Sequence, residues 1–402
     1  MRAGRSPYAL AIAFCVGIGL YDLLFVFFSL SGLPSPIGLV VDVVFPDFVV
    51  FHAAVRAFLE GKLSIVYDID AFTRFQVEAY SDRLPAGTRF RPFLYPPIFL
   101  LMLMLLPLGA LAVVKAYGVF MTATAALATA LEGRHDLWGW LAILVSPAAA
   151  WVVLAGQNTF LSVALLYGGL RLLDRSPAAA GVLLGLLSYK PQIFVLVPLA
   201  LLAARQWRAL GWMIVTGAIL TLASLALFGL DFWLAFVDAA RLAGSEKVAD
   251  EMYRRIYMHM TTLLAAARIV GLPPAVAGVV QLAGVVLAVA AVWHAFRHRE
   301  SSDARTAVLV TATFLVSPYT LNYDLLLLMP AVVALFRLGA AQGFYPGERL
   351  IHAAMWLIPT VGVVLNRQGL PLMPVIILLF GTIAWLRLNA AKVELPSPAS
   401  AG

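Results

Sequence analysis

The chain has 402 residues, 62% of them hydrophobic and 12% charged, with a mean hydropathy of +0.92. A soluble domain carries roughly 45–50% apolar and about 25% charged residues, so the composition excludes a soluble globular fold and requires a polytopic membrane protein. The net charge of +7 arises from Lys and Arg set singly between apolar runs, the pattern of cytoplasmic membrane loops rather than of a nucleic-acid surface.

Hydrocarbon admits only helices and closed barrels. The apolar runs reach fifteen residues without the alternation of barrel strands, so the expected fold is all-α, one integral membrane domain over 1–402. Cys15 is the single cysteine and lies inside an apolar run, which excludes disulfides and cysteine metal sites.

The first apolar run, Tyr8 to Leu30, is long enough to span the ~30 Å hydrocarbon core. It exceeds the apolar region of a signal peptide, about 7–15 residues, and reads as an uncleaved helix with Arg2 and Arg5 in the cytoplasm. Residues 31–92 follow as the longest polar stretch, with six Lys/Arg and seven Asp/Glu. They are expected to form the first external, periplasmic loop. Within it, Phe48, Phe51, Val55 and Phe58-Leu59 recur at helical spacing up to Gly61, predicting an amphipathic helix along the membrane surface.

Further apolar segments lie at about 93–108, 113–131, 137–155, 158–174, 178–190, 191–204, 209–228, 275–296, 305–317, 321–337, 350–366 and 371–387. Several are too short to cross alone; either 93–108 is re-entrant or parallel to the membrane, or a weaker span elsewhere does not cross. The span count is 11–13. Arg171/Arg175, Arg205/Arg208, Arg297/Arg299/Arg305, Arg337/Arg349 and Arg387/Lys392 read as cytoplasmic. Residues 229–258 read as a second external loop.

Polar residues at membrane depth or at its edge are costly and so become functional candidates. On this topology Asp47, His52, Arg89, Arg91, Tyr95, Gln157, Asn158, Tyr189, Lys190, Gln192, Tyr319, Asn322, Tyr323 and Asp324 gather at external helix ends. Each also has a structural reading. Lys190 suits a snorkelling cation, Gln157-Asn158 a helix-to-helix turn, and His52 interfacial packing. Asp47, after Phe45-Pro46, reads from the sequence alone as an N-cap. Asp324 sits five residues into an apolar run, where a helix start at Asn322 favours its charge. His294 and His298, beside Arg297 and Arg299, read as a solvated cytoplasmic helix end. Asp68-Ile69-Asp70 matches an Asp-X-Asp divalent-cation pattern and equally a turn before a helix at Ala71. No phosphate-cradling glycine loop occurs, so a nucleotide donor is unsupported.

The chain resembles glycosyltransferase family 87, membrane enzymes of the GT-C fold similar to bacterial polyprenyl-phosphate-mannose-dependent mannosyltransferases. The resemblance rests on Asp47-Phe48…Ala53-Ala54…Gly61…Tyr67-Asp68, Tyr95-Pro96-Pro97…Pro107-Leu108 and Gly156-Gln157-Asn158. It continues through Gly185-Leu186-Leu187-Ser188-Tyr189-Lys190-Pro191-Gln192, Arg205-Gln206-Trp207-Arg208 and Ser317-Pro318-Tyr319…Asn322-Tyr323-Asp324. It implies a polyprenyl-phosphate-linked sugar donor, a glycolipid or glycan acceptor, and inverting chemistry on the external face of the plasma (inner) membrane. It also implies a general base in the first external loop, a position held by Asp47. Where some relatives carry a His, this chain has Tyr319-Thr320-Leu321-Asn322-Tyr323-Asp324, with Tyr323 and Asp324 as the nearest substitutes.

A lipid-linked donor needs a greasy slot, cations for its phosphate and a base for the acceptor hydroxyl. The spans supply the slot; Lys190 with Arg89 or Arg91 is expected to bind phosphate. Tyr95, Gln157, Asn158, Gln192, Tyr323, Asp324 and His52 are expected to contact sugar or acceptor. No metal or other cofactor is expected, the alternative being a divalent ion at Asp68/Asp70. The competing function is a transporter or flippase of lipid-linked sugars, which commonly has two repeated halves and polar groups near mid-bilayer; the sequence has no evident repeat.

Overall fold

In a computed structural model, residues 16–24, 26, 45–82, 84, 88, 91–133, 137–243, 256–297 and 301–390 are described. Among them the architecture is all-α and polytopic, with no strand beyond an isolated antiparallel bridge between Met260 and Leu321. After a helix at 16–24 (α1) come α2 (Pro46–Leu59), α3 (Ile69–Ala79), α4 (Pro97–Met104) and α5 (Val113–Glu132). The middle of the chain forms α6 (Leu137–Leu144), α7 (Pro147–Ala155), α8 (Thr159–Leu172), α9 (Pro177–Leu186), α10 (Pro191–Phe194), α11 (Val197–Ala203), α12 (Trp207–Phe228) and α13 (Leu230–Ala243). The last third adds α14 (Leu263–Ile269), α15 (Pro274–Arg297), α16 (Ser302–Val316), α17 (Met329–Gln342), α18 (Glu348–Arg367) and α19 (Met373–Ala390).

Five described helical stretches are long and apolar enough to cross a membrane: α5 to Leu131, α12, α15, Asn322–Gln342 and α18. The pair α6–α7, bent by 55° at Pro147, makes a sixth if counted as one span. Other apolar runs among the described residues form shorter helices, including Thr159–Leu172, Pro177–Tyr189, Pro191–Ala203 and Met373–Asn389, while most of the first run, Tyr8 to Leu30, lies outside the described residues. The eight residues of α4 rise only ~12 Å and cannot cross the hydrocarbon alone.

The predicted amphipathic helix at 48–59 exists as α2, but it is enclosed by protein rather than laid along a surface. Phe48, Val49, Phe51, Ala53, Ala54, Val55 and Ala57 are buried. The Phe48 and Phe51 rings meet Tyr117, Phe120, Tyr95 and Phe99, which supply from neighbouring segments the apolar cover expected from lipid.

Three irregular joints set the geometry that matters for function. Before α2, Phe45 adopts φ 48°, a left-handed conformation costly for a bulky side chain. Its ring stacks on Tyr117 at 4.4 Å and its N–H donates to Leu154 O at 2.7 Å, which hold it there. The second joint is Gly156 (φ +76°), which ends α7; a Cβ there would lie 2.6 Å from Phe48 Cβ and 2.8 Å from Phe45 Cβ. Only glycine allows the end of α7 to press against the start of α2. The third is the break between α9 and α10: Lys190 precedes Pro191, is therefore kept out of the helical region, and adopts φ −125°, ψ 77°.

At the other end of α18 and α19, buried Glu348 accepts from Arg387 Nε at 2.9 Å. Arg387 is thus a buried ion-pair partner. His294 packs on the Trp385 ring at 4.7 Å, while His298 lies outside the described residues.

Candidate active site

The three joints open onto one cleft of about 550 Å³. Asp47 and Phe51 of α2 line it, with Arg91, Leu94 and Tyr95 from the segment before α4 and Gln157 from the α7–α8 turn. Lys190, Pro191 and Gln192 at the α9–α10 break close another part, followed by Ser317, Pro318, Tyr319, Leu321, Tyr323 and Asp324 after α16. Residues far apart in sequence therefore meet because helix ends, rather than helix middles, converge there.

Asp47 is the second residue of α2, not its N-cap; Phe45 holds that position. Its Oδ2 accepts from Gln157 Nε2 at 2.7 Å. Burial pushes the Asp47 carboxyl above the ordinary carboxylate range, and the Gln157 hydrogen bond and the Arg91 charge act in the opposite direction. The Arg91 guanidinium donates to Pro46 O and to Gln76 Oε1 (3.3 Å). The Arg91 backbone is tied to α3 as well: its N–H donates to Thr73 Oγ1 at 3.0 Å, and its carbonyl accepts from Gln76 Nε2 at 2.8 Å. Thr73 and Gln76 thus organise the site from a distance; their only sequence signal is a pair of polar residues beside Phe72 and Phe75 on α3.

Lys190 is 1% exposed, and its ammonium donates to Asn158 Oδ1 (3.1 Å) and Asp324 Oδ1 (2.7 Å). Asp324 Oδ2 accepts from the Leu321 N–H at 3.0 Å, so both of its oxygens are engaged. Snorkelling does not describe Lys190: it is held inside the protein by an acidic partner. Asn158 supports Lys190 from behind without lining the cleft, while Gln157 also accepts from Tyr95 Oη (3.1 Å) and donates to Tyr323 Oη (3.2 Å). Gln192 lines the cleft, and no hydrogen bond within the described residues engages its amide.

One expected sugar or acceptor contact, His52, does not belong to this group. His52 points elsewhere, with Nδ1 against Tyr80 Oη at 2.6 Å and Nε2 against Leu111 O at 3.0 Å. A carbonyl can only accept, so Nε2 carries the proton and Nδ1 accepts from Tyr80. Burial lowers the pKa of His52, consistent with a neutral packing residue, and its expected sugar contact has no geometry to support it. Arg89 lies outside the described residues. Asp68 and Asp70 are exposed, and Asp68 caps α3 by accepting from the Ala71 N–H at 2.9 Å. Among the described residues, no three His, Cys, Asp or Glu side chains group as a metal site would require.

Residues 93–318, more than half of the chain, match glycosyltransferase family 87. The chain belongs to that family. No curated protein and no solved structure matches it. As a family 87 member with several spanning helices it is a membrane glycosyltransferase. Tyr95, Gln157, Asn158, Lys190 and Gln192 fall within the matched segment; Asp47, Arg91, Tyr323 and Asp324 fall outside it and join the site only through the fold.

Proposed function

We propose that the protein transfers a hexose, of the mannose type, from a polyprenyl-phosphate carrier to a lipid or glycan acceptor, with inversion at the anomeric carbon. The transfer takes place at the extracytoplasmic face of the plasma membrane. The observation that carries this reading is the unequal engagement of the two cleft carboxylates. Among the described residues, both oxygens of Asp324 accept hydrogen bonds, whereas Asp47 accepts one at Oδ2 and none at Oδ1, the oxygen that would take a substrate proton. Asp47 is the base and Asp324 the counter-ion of Lys190.

In the step itself, an acceptor hydroxyl oxygen attacks the anomeric carbon while its proton passes to Asp47 Oδ1. The bond from that carbon to the phosphate oxygen breaks, and the electron pair leaves with the polyprenyl phosphate. Lys190 uses two of its three N–H donors on Asn158 and Asp324; the third meets the departing phosphate, and Arg91 adds a second cation. Positioned charges aimed at developing negative charge lower the barrier without reorganisation. Gln192 and Tyr323 are placed to hold sugar or acceptor hydroxyls. These cations serve in place of a metal, so the rate is expected to be unchanged by EDTA.

The test supplies the protein, in lipid nanodiscs, with radiolabelled polyprenyl-phosphate-mannose and membrane glycolipids, alongside a transport assay in proteoliposomes. Label in a new glycoside supports the proposal. Label that crosses the bilayer still attached to its carrier, with no glycoside formed, overturns it in favour of a flippase.

A further inference from the structure

We propose that Gln157 is a positioning residue that fixes the orientation of the base and the hydrogen-bond polarity of the cleft, and does not itself hold the sugar. The inference rests on the reading of Asp47 as base. A primary amide has two N–H donors and two acceptor lone pairs. The Oε1 of Gln157 accepts from Tyr95 Oη at 3.1 Å and from the Asn158 N–H at 3.3 Å. Its Nε2 donates to Asp47 Oδ2 at 2.7 Å and to Tyr323 Oη at 3.2 Å. All four positions are filled by protein, and none is left for a substrate hydroxyl.

The orientation of the amide is dictated by its neighbours. A backbone N–H only donates and an ionised carboxylate only accepts. Reversing the amide would set Nε2 against the Asn158 N–H and Oε1 against Asp47. Nor can the side chain retreat, because the Gly156 turn that carries it is pressed against Phe45 and Phe48 at the start of α2.

Two consequences reach the cleft. Asp47 is pinned through Oδ2, so the same oxygen, Oδ1, is always presented to the acceptor. Tyr323 accepts from Gln157, so its phenolic proton stays available and it acts on substrate as a donor.

The test is the pH dependence of kcat/KM in Q157L and Q157E, with D47N as reference. Removing a hydrogen bond to the charged carboxylate in Q157L is expected to move the acid limb upward by about one pH unit. Q157E, which sets a second carboxylate against Asp47, moves it at least as far. In both, kcat at neutral pH falls at least tenfold while the donor and acceptor KM stay within about threefold. An unmoved acid limb with a raised KM for either substrate would overturn the inference, because that is the signature of a sugar contact. Should Q157L not fold, Q157E, which exchanges an amide nitrogen for an oxygen, carries the same comparison. If the wild-type protein makes no glycoside, the function proposal fails separately. The inference is then read from infrared titration of the carboxyl band that D47N abolishes, which must shift upward in Q157E or Q157L.

Discussion

Lys190 Nζ lies 2.7 Å from Asp324 Oδ1, with the two side chains only 1% and 4% exposed. A buried ion pair adds little net stability, but removing one partner strands the other, at about 3–5 kcal/mol. K190A and D324A are each expected to lower the unfolding temperature in detergent strongly. K190M/D324L should melt closer to the wild type than either single variant, yet make no product. If the double variant melts below both singles, the pair contributes more than mutual charge compensation.

As the proposed base, Asp47 must be ionised to take a proton, and burial raises its pKa. Activity is therefore expected to fail as pH drops through a value above the usual carboxylate range. The Arg91 charge opposes that rise, so R91Q should shift the acid limb further upward. The sign for stability is opposite: the native state holds this proton more tightly than the unfolded chain, so this group's contribution declines as pH rises through the raised pKa. D47N, which preserves shape, should lose about 10²–10⁴-fold in turnover while still binding labelled donor. Rate–pH profiles of wild type, R91Q and D47N check the activity, thermal melts across pH check the stability sign, and a binding assay with labelled donor checks D47N.

Gly156 combines φ +76° with a Cβ position 2.6 Å from Phe48 Cβ. G156A is expected to destabilise by about 1–3 kcal/mol through backbone strain and to displace Gln157 from Asp47. Transfer should fall more than tenfold even at temperatures where the variant remains folded. Normal turnover by folded G156A would show that the α7–α8 turn has slack that the packing denies.

His52 satisfies both ring nitrogens within the protein and lies away from the cleft. H52L should lower the unfolding temperature by removing the Tyr80 and Leu111 hydrogen bonds, about 1 kcal/mol each, and leave kcat and both KM values unchanged. A raised acceptor KM would return His52 to the site.

The membrane class and helical fold follow from composition alone, because hydrocarbon leaves a chain this apolar almost no other choice. Asp47, Lys190, Tyr95, Gln157 and Asp324 are also legible as candidates, since a polar side chain beside apolar runs stands out against its background. Their division of labour is not. Whether Lys190 is a free cation or a paired one depends on Asp324, 134 residues further along. Whether Asp47 caps a helix or lines the cleft depends on the backbone of Phe45. The periodicity of α2 announced a helix but misjudged its cover, because an apolar face reads the same whether lipid or Tyr117 and Phe120 will meet it. His52 and Asp324 are both polar residues within apolar segments, and only the fold separates the packing residue from the cleft residue. Sequence determines which side chains are able to carry chemistry, since that is a property of the residue. Tertiary structure decides which partners satisfy them, since a hydrogen bond or an ion pair needs two groups within about 3 Å, whatever their separation along the chain.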